Sequence, residues 1–243
     1  MEDTFLSHLV ELRTRLIRAS VAVLVVFLCL MPWHSDIYDL LAHPMMMALP
    51  EGTKMIATGV VTPFFVPIKV TLLTAFVVSL PFVLYQAWAF IAPGLYAHER
   101  RFALPLVLGG TLLFLAGMAF CYFFIFGTVF KFIASFAPKS ITPAPDIEEY
   151  LSFVMTMFLA FGVTFEVPIV VILLVKTGLV SVAKLVEARR YVIVGAFVVA
   201  AVVTPPDPTS QILLAVPMII LFEVGLFISR MIERDRDRVT VRT

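Results

Sequence analysis

The chain has 243 residues, of which 61% are hydrophobic and 14% are charged, and its formal net charge is +1. Its mean hydropathy is +1.02, and soluble domains contain fewer apolar and more charged residues than this. The composition therefore excludes a soluble globular protein and indicates an integral membrane protein in contact with the lipid bilayer. No nucleic-acid partner is expected.

Six apolar runs follow one another along the chain, and most are long enough to cross the hydrocarbon layer, which takes roughly 20 residues. They cover residues 16–33, 64–91, 102–130, 150–175, 191–204 and 211–229. We therefore predict an all-α integral membrane protein with six transmembrane helices in a single domain over residues 1–230. A short charged tail over residues 231–243 follows this domain.

The first run follows basic residues and could be mistaken for a secretory signal peptide. After Met31 the sequence continues Pro32, Trp33, His34, Ser35, so it lacks the small residues of a cleavage site. The run is therefore predicted to remain in the protein as the first span.

Prolines at or within the second, third, fourth and sixth runs predict bent helices. An interior proline removes one helical hydrogen bond and displaces the carbonyl four residues earlier. Bent helices form a curved wall more readily than a tight bundle, although membrane helices also tolerate proline without any special role. The prolines in question are Pro63, Pro67, Pro81, Pro105, Pro168 and Pro217.

The fifth and sixth runs are short, and residues 205–210 between them are little more than a turn. At 1.5 Å per residue the fifth run covers about 21 Å, whereas the hydrocarbon layer is roughly 30 Å thick. We expect the bilayer to thin, or water to enter, beside this pair of helices.

Basic residues are concentrated on one side of the predicted spans. Of the 18 Lys and Arg residues, 14 fall in segments that alternate spans assign to the same side. Short basic segments stay in the cytoplasm during insertion, so both termini are predicted to be cytoplasmic. The 14 residues are Arg13, Arg15, Arg18, Arg100, Arg101, Lys176, Lys184, Arg189, Arg190, Arg230, Arg234, Arg236, Arg238 and Arg242.

Glu166 lies midway along the fourth run among apolar neighbours. An ionised carboxylate at that depth costs a few kcal/mol even on the most lenient insertion scales, so the group is expected to be protonated or to face a wet cavity. Its predicted role is to dock another helix or to draw water into the membrane. The alternative is a hydrogen bond that packs two helices of this protein.

Glu11 and Glu99 are acids in otherwise basic flanks, and each could accept a guanidinium group through two parallel hydrogen bonds. A ligand with paired arginines would suit them. The spacing alone favours simpler roles, namely a helical bridge from Glu11 to Arg15 and a solvated helix cap at Glu99.

The sequence contains no motif of an enzyme: no phosphate-binding loop, no zinc-binding pair of histidines on a helix and no nucleophile elbow. The four histidines are scattered, and Cys29 and Cys121 lie inside apolar runs, where we expect two buried free thiols. No catalytic residue, metal site or cofactor is predicted. The driving energy is therefore expected to come from elsewhere, namely the membrane potential.

With these residues in view, the chain resembles the TatC family, the multispanning core subunit of the twin-arginine protein translocase. The resemblance covers nearly the whole chain and includes His-Leu-Val-Glu-Leu-Arg at residues 8–13 and Phe-Gly-Val-Thr-Phe-Glu-Val-Pro at residues 161–168. Further matching segments are residues 63–65 with Lys69, 85–96, 98–101, 204–207 and 210–211. Such a series of ordered segments is far more specific than any single motif.

The resemblance implies a receptor for the signal peptides of proteins that are exported already folded. The two acids that bind the paired arginines in this family fall on Glu11 and Glu99. Arg13, Pro44 and Phe90 match positions associated with translocation or its recognition step. The family's concave, glove-like set of six helices also agrees with the bends predicted from proline.

Within the membrane, the resemblance implies that Glu166 is the family's buried acid. Thr204 and Gln211 match its contact surface for TatA and TatB, the single-span partner subunits. Gly59 departs from the pattern, because some relatives carry an acid there, and the sequence therefore assigns no side-chain chemistry to that loop.

We therefore expect the core subunit of a twin-arginine translocase in the bacterial cytoplasmic membrane. It would act with TatA- and TatB-type partners, self-associate in a larger complex and use the proton-motive force. The alternative is a proton-coupled transporter of small solutes with Glu166 as its relay, and a structural scaffold for membrane helices is a third class. The pair of cytoplasmic acids favours the first hypothesis, since a solute carrier has no evident need of them.

Overall fold

The computed structural model describes residues 2–48, 55–91, 100–136, 144–204 and 208–240. Within these ranges the regular structure is helical, apart from an isolated parallel bridge between Ile56 and Asp146. The helices are α1 (Glu2–Leu30), α2 (His34–Ala48), α3 (Thr62–Val78), α4 (Leu80–Ile91), α5 (Arg100–Phe120), α6 (Phe126–Phe136), α7 (Ile147–Lys176), α8 (Val182–Glu187), α9 (Arg189–Val203) and α10 (Pro208–Thr240).

Helices occupy all six apolar runs that the sequence predicts as spans. Four helical segments of the described chain are long and apolar enough to cross a membrane, and α3 with α4 forms a fifth candidate as a bent pair. Helix α9 has only 15 residues, close to the predicted length of the fifth span. The four segments are Ser7–His43, Leu104–Phe132, Ile147–Lys176 and Pro208–Glu233.

Helix α10 differs from the predicted short sixth span. It continues to Thr240, and 26 of its residues form an apolar candidate span. An apolar run ends at the first cluster of charges, whereas a helix continues through Glu and Arg because both are good helix formers. The tail therefore prolongs the last helix as far as Thr240.

The bend predicted for the second run is present. Helices α3 and α4 meet at an angle of 60°, and Ser79 lies between them. Its backbone N–H donates to the Ala75 carbonyl of α3, and its carbonyl accepts from the Val83 N–H of α4. Pro81 lies in the first turn of α4, where its missing N–H leaves no intrahelical bond unmade. Pro67, Pro105, Pro168 and Pro217 instead lie inside helices that continue past them.

A π-helical turn over Cys121–Ile125 separates α5 from α6, and the sequence analysis did not predict it. Both cysteines are free, as expected, but only Cys121 is buried, whereas Cys29 is exposed. The prediction of two buried thiols was therefore wrong for Cys29. An apolar residue in a membrane span can face either protein or lipid, and periodicity over one helix does not distinguish these two environments.

The chain divides into two compact units, of which the first comprises Met1–Leu112 and Phe130–Met155. In this unit α1 packs against α3 and α4, and α2 packs against α3. A core of Val66, Val70 and Leu151 is covered by apolar side chains of α2 and of the start of α7. The Tyr150 hydroxyl donates to the Leu41 carbonyl at 3.0 Å, which ties α7 to α2.

The second unit comprises Leu113–Val129 and Thr156–Thr243. Its helices α9 and α8 pack against α10, around a core that includes Val171, Phe222 and Leu226. Glycine allows one close helix crossing: a Cβ at Gly225 of α10 would lie 2.8 Å from the Cα of Pro168 in α7. A larger residue at position 225 would force these two helices apart.

Five polar residues, which we call the loop clip, join α3 and the segment before it to the start of α7: Thr58, Thr62, Lys69, Asp146 and Glu148. The backbone N–H and hydroxyl of Thr58 donate to Asp146 Oδ2 at 2.9 and 2.7 Å. Thr62 donates to Glu148 Oε2 at 3.2 Å, and Lys69 Nζ lies 2.7 Å from Glu148 Oε1. The lysine inside the second predicted span thus has an acidic partner.

The loop clip corrects one expectation, since the sequence assigned no side-chain chemistry to the loop around Gly59. A Cβ at Gly59 would press against the Thr62 hydroxyl, the group that donates to Glu148. Glycine at position 59 therefore leaves room for the Thr62 hydroxyl to bind Glu148 of α7. Asp146 also caps α7, accepting from the backbone N–H of Glu148 at 2.8 Å.

The clip predicts a response to acid. Hydrogen bonds from Thr58 lower the pKa of the Asp146 carboxyl from 3.8 to about 2. A depressed folded-state pKa contributes stability that is present above about pH 4 and is lost as the pH falls from about 4 to about 2. We expect Asp146→Asn to lower the melting temperature of the purified protein in detergent at pH 7, and to flatten its fall between pH 4 and pH 2.

Glu149→Gln is the matched control, because Glu149 lies in the same helical turn with an exposed side chain outside the clip. Its melting curve is expected to follow that of the unmodified protein at both pH values. Equal acid sensitivity of Asp146→Asn and the unmodified protein would contradict a stabilising role for the Asp146 carboxylate.

Candidate functional site

A charged and aromatic site forms where α1 faces α4 in the first unit. His8, Glu11 and Arg15 are spaced three and four residues apart, so they share one face of α1. Arg15 Nε and Nη2 donate to Glu11 Oε1 at 2.9 and 2.6 Å. Arg15 Nη1 also donates to Gln86 Oε1 of α4 at 3.4 Å. The local bridge that the sequence spacing favoured is therefore formed, and it extends to a second helix.

Phe90 lies one helical turn after Gln86, on the same face of α4. Its ring stacks on the His8 imidazole, with ring centroids 4.3 Å apart and an angle of 20° between the planes. The two contacts hold α1 and α4 together on either side of Glu11. The Glu11 side chain remains 38% exposed, so a ligand can reach its carboxylate.

The other residues predicted for signal binding are not all assembled here. Arg13 is exposed and lies about 200° around α1 from Glu11 at 100° per residue, so it faces away from α4. Pro44 belongs to α2. Glu99 lies outside the described residues. Of the predicted set, the structure brings Glu11 and Phe90 to one site.

Gln86 and His8 are the residues of this site that sequence reasoning did not assign. Gln86 is buried with only 5% exposure, although it stands in one of the most apolar segments of the chain. Gln86 lies four residues before Phe90, and positions i and i+4 share a helix face. This spacing could have assigned Gln86 to the same site as Phe90. Its partner Arg15 is 71 positions away in the sequence, beyond the reach of any local pattern.

Glu166 lies in α7 within the second unit and is 7% exposed. Neither of its carboxylate oxygens has a hydrogen-bond partner among the described residues, and the same is true of the Thr164 hydroxyl two positions earlier. The alternative role of Glu166, a packing hydrogen bond within the protein, is not seen in the described residues. A buried carboxyl without a partner is costly, so it is suited to receive a polar group from outside.

Thr204 is the C-cap of α9, and Gln211 lies in the first turn of α10. The buried Thr204 hydroxyl donates to the Ala200 carbonyl of its own helix at 2.8 Å. Gln211 Nε2 donates to the Phe197 carbonyl of α9 at 3.3 Å. Both side chains thus satisfy backbone carbonyls of α9, while the acceptor oxygen of each keeps lone pairs for a further donor.

Comparison with known proteins identifies the family. The model of the Sec-independent protein translocase protein (TatC) matches residues 7–217. The chain belongs to the TatC family. It is a subunit of the twin-arginine translocase, a protein translocase component and not an enzyme.

Individual relatives agree with this assignment. The chain is 52% identical over 232 residues to the Sec-independent protein translocase protein TatC of Escherichia coli strain K12, which covers 95% of this chain and 90% of the relative. It is also 52% identical to TatC of Halothiobacillus neapolitanus over 93% of this chain, and spans 62% of that longer relative.

A solved structure is similar over the same extent. The crystal structure of the twin-arginine translocase receptor TatC superimposes with a TM-score of 0.82 at 37% sequence identity. The match covers 92% of this chain and 98% of the solved chain. The helices described above therefore have the TatC fold.

Proposed function

We propose that this TatC protein binds twin-arginine signal peptides at the cytoplasmic face of the bacterial cytoplasmic membrane. Glu11 and Glu99 bind the two arginines of the peptide, and Arg13, Pro44 and Phe90 contribute to the recognition step. The observation that carries this proposal is the Glu11 carboxylate, which is partly exposed and already binds a guanidinium group, that of Arg15, at 2.6 Å. A carboxylate that binds one guanidinium in this setting has the chemistry to bind another.

The surroundings of Glu11 support a peptide with an apolar part beside its arginines. The half-buried Phe90 ring lies next to the charged cluster on the same pair of helices. Several large side chains on the outer face of α1 are exposed, including Leu12 at 41% and Leu16 at 63%. A signal peptide can therefore place charged and apolar residues on adjoining parts of one surface.

The proposed topology has six spans with both termini in the cytoplasm, with α9 as a short fifth span. The concentration of basic residues on one side supports this orientation. In this arrangement Glu11 is exposed to the compartment in which newly folded cargo waits.

In the membrane, Glu166, Thr204 and Gln211 form polar docking points for TatA- and TatB-type helices. The Glu166 carboxyl, which has no hydrogen-bond partner in the described ranges, supports this role. Copies of the chain and its partners then assemble around the bound signal, and the proton-motive force drives the folded cargo across the locally weakened bilayer.

The receptor role is tested by crosslinking a photoreactive twin-arginine peptide to membranes that carry Glu11→Ala plus Glu99→Ala. Each charged hydrogen bond contributes about 1.5 to 3 kcal/mol, so we expect peptide capture to fall at least roughly tenfold. A matched control is Glu149→Ala plus Glu233→Ala, which removes two exposed acids outside the site and should leave capture unchanged. Undiminished capture by the first variant would refute the receptor assignment.

The docking role of Glu166 is tested by two substitutions with opposite expectations. Glu166→Leu removes a buried polar group that lacks a partner, so the purified protein should melt at a higher temperature. Crosslinking to partner helices and export of a folded reporter should nevertheless fall. Glu166→Gln keeps the ability to hydrogen-bond and should largely retain both activities. If export survived in the leucine variant, or was abolished in the glutamine variant, a hydrogen-bonding dock would be excluded.

A further inference from the structure

The Glu11 carboxylate is occupied by a guanidinium group from its own chain. Arg15 directs two N–H groups to Glu11 Oε1, at 2.9 and 2.6 Å. The Arg15 side chain is only 22% exposed, and its third contact, to Gln86, comes from the facing helix. Arg15 therefore makes the same interaction that the proposed function assigns to an arginine of the signal peptide.

We propose that Arg15 is a built-in competitor of the signal peptide at Glu11, and that Gln86 receives the Arg15 guanidinium when the peptide displaces it. This inference rests on the proposed function of Glu11 as a signal-binding acid. It adds a regulatory contact that sets the affinity of the site.

The contacts at Glu11 require a peptide arginine to displace Arg15 and not merely to bind beside it. An arginine that binds a carboxylate in the two-pronged mode needs both oxygens, and Arg15 already uses Oε1 twice. Two guanidinium groups on one carboxylate would also lie within several ångströms of each other, where like charges repel even in a wet environment. The peptide arginine therefore has to move Arg15 away from Glu11 Oε1.

Gln86 lowers the free-energy cost of displacing Arg15 from Glu11. Its Oε1 already accepts from Arg15 Nη1 at 3.4 Å, and its side chain is buried and held in place by α4. When Arg15 leaves Glu11 it keeps a hydrogen-bond acceptor, so a partly buried guanidinium is not left without a partner. A neutral amide attracts a cation less than a carboxylate does, which is why Arg15 rests on Glu11 in the free chain.

The competitor acts more strongly against arginine than against lysine. A lysine ammonium is a compact donor that can bind Glu11 Oε2 alone, without removing Arg15 from Oε1. An arginine side chain forms both of its parallel hydrogen bonds only when both carboxylate oxygens of Glu11 are free. Removing Arg15 should therefore tighten the binding of a twin-arginine peptide more than that of its twin-lysine analogue.

The test uses membranes that carry the complete translocase and measures peptide capture over a range of concentrations of each photoreactive peptide. For Arg15→Gln we expect the half-saturating concentration of the twin-arginine peptide to fall by about threefold to tenfold, through loss of the internal bridge and of the like charge. The gain for the twin-lysine peptide should be smaller. The matched control is Arg18→Gln, which removes the same charge from an exposed site one turn away and should change capture by less than about twofold.

Only tighter binding supports the proposal, and damage to the fold cannot produce tighter binding. Unchanged or weaker capture by Arg15→Gln overturns it. Gln86→Leu provides a second measurement: it should weaken capture while Arg15 is present and have no effect once Arg15 is Gln. An equal effect of Gln86→Leu in both backgrounds also overturns the competitor model.

The two proposals fail in distinguishable ways. If Glu11→Ala does not reduce capture, the assignment of Glu11 as a signal-binding acid is wrong. If Glu11→Ala does reduce capture but Arg15→Gln does not improve it, the receptor role stands and the built-in competitor is refuted. The gain from Arg15→Gln should also disappear when Glu11 is Ala.

Discussion

The lack of water in a bilayer governs this structure, because polar groups in hydrocarbon must find partners inside the protein. Several hydroxyl side chains in the apolar helices meet this demand locally. Thr71, Thr74, Thr111, Thr204 and Ser229 each donate to the carbonyl four residues earlier, at 2.8 to 3.0 Å. Glu166 differs from them because a carboxyl group is too costly to bury without a partner and has none among the described residues.

The same constraint separates two kinds of acid in the chain. Glu11, Glu148 and Glu223 are partly exposed and paired with Arg15, Lys69 and Arg189 at 2.6 to 2.7 Å. Such exposed pairs contribute little to stability, so their partners can be exchanged at low cost. Glu166 is buried and has no partner within the part of the chain that the structure describes. A partner helix that hydrogen-bonds to it would remove the free-energy cost of this desolvated polar group. Exchange of partners suits recognition of a passing peptide, whereas a buried dock suits assembly within the membrane.

Several features were predictable because they depend on residues close together in the chain. Helices occupy each of the six apolar runs, and Pro81 marked the segment where α3 and α4 bend by 60°. The Glu11–Arg15 bridge followed from i, i+4 spacing. The π-helical turn at Cys121–Ile125 and the full length of α10 were not predicted. Hydrophobicity along the sequence shows how long an apolar segment is. It shows neither the hydrogen-bond pattern within the segment nor how far the helix continues beyond it.

The sequence by itself determined the class of protein, the six apolar runs that helices occupy, the sorting of its charges and the residues that resemble a family motif. Each of these is a property of composition or of short spacing. Tertiary structure decided which side chains meet: Arg15 with Gln86 across 71 positions, and Thr58 with Asp146 across 88. Such pairs depend on how helices pack against one another, and many packings satisfy the same apolar pattern, so only the folded chain selects among them.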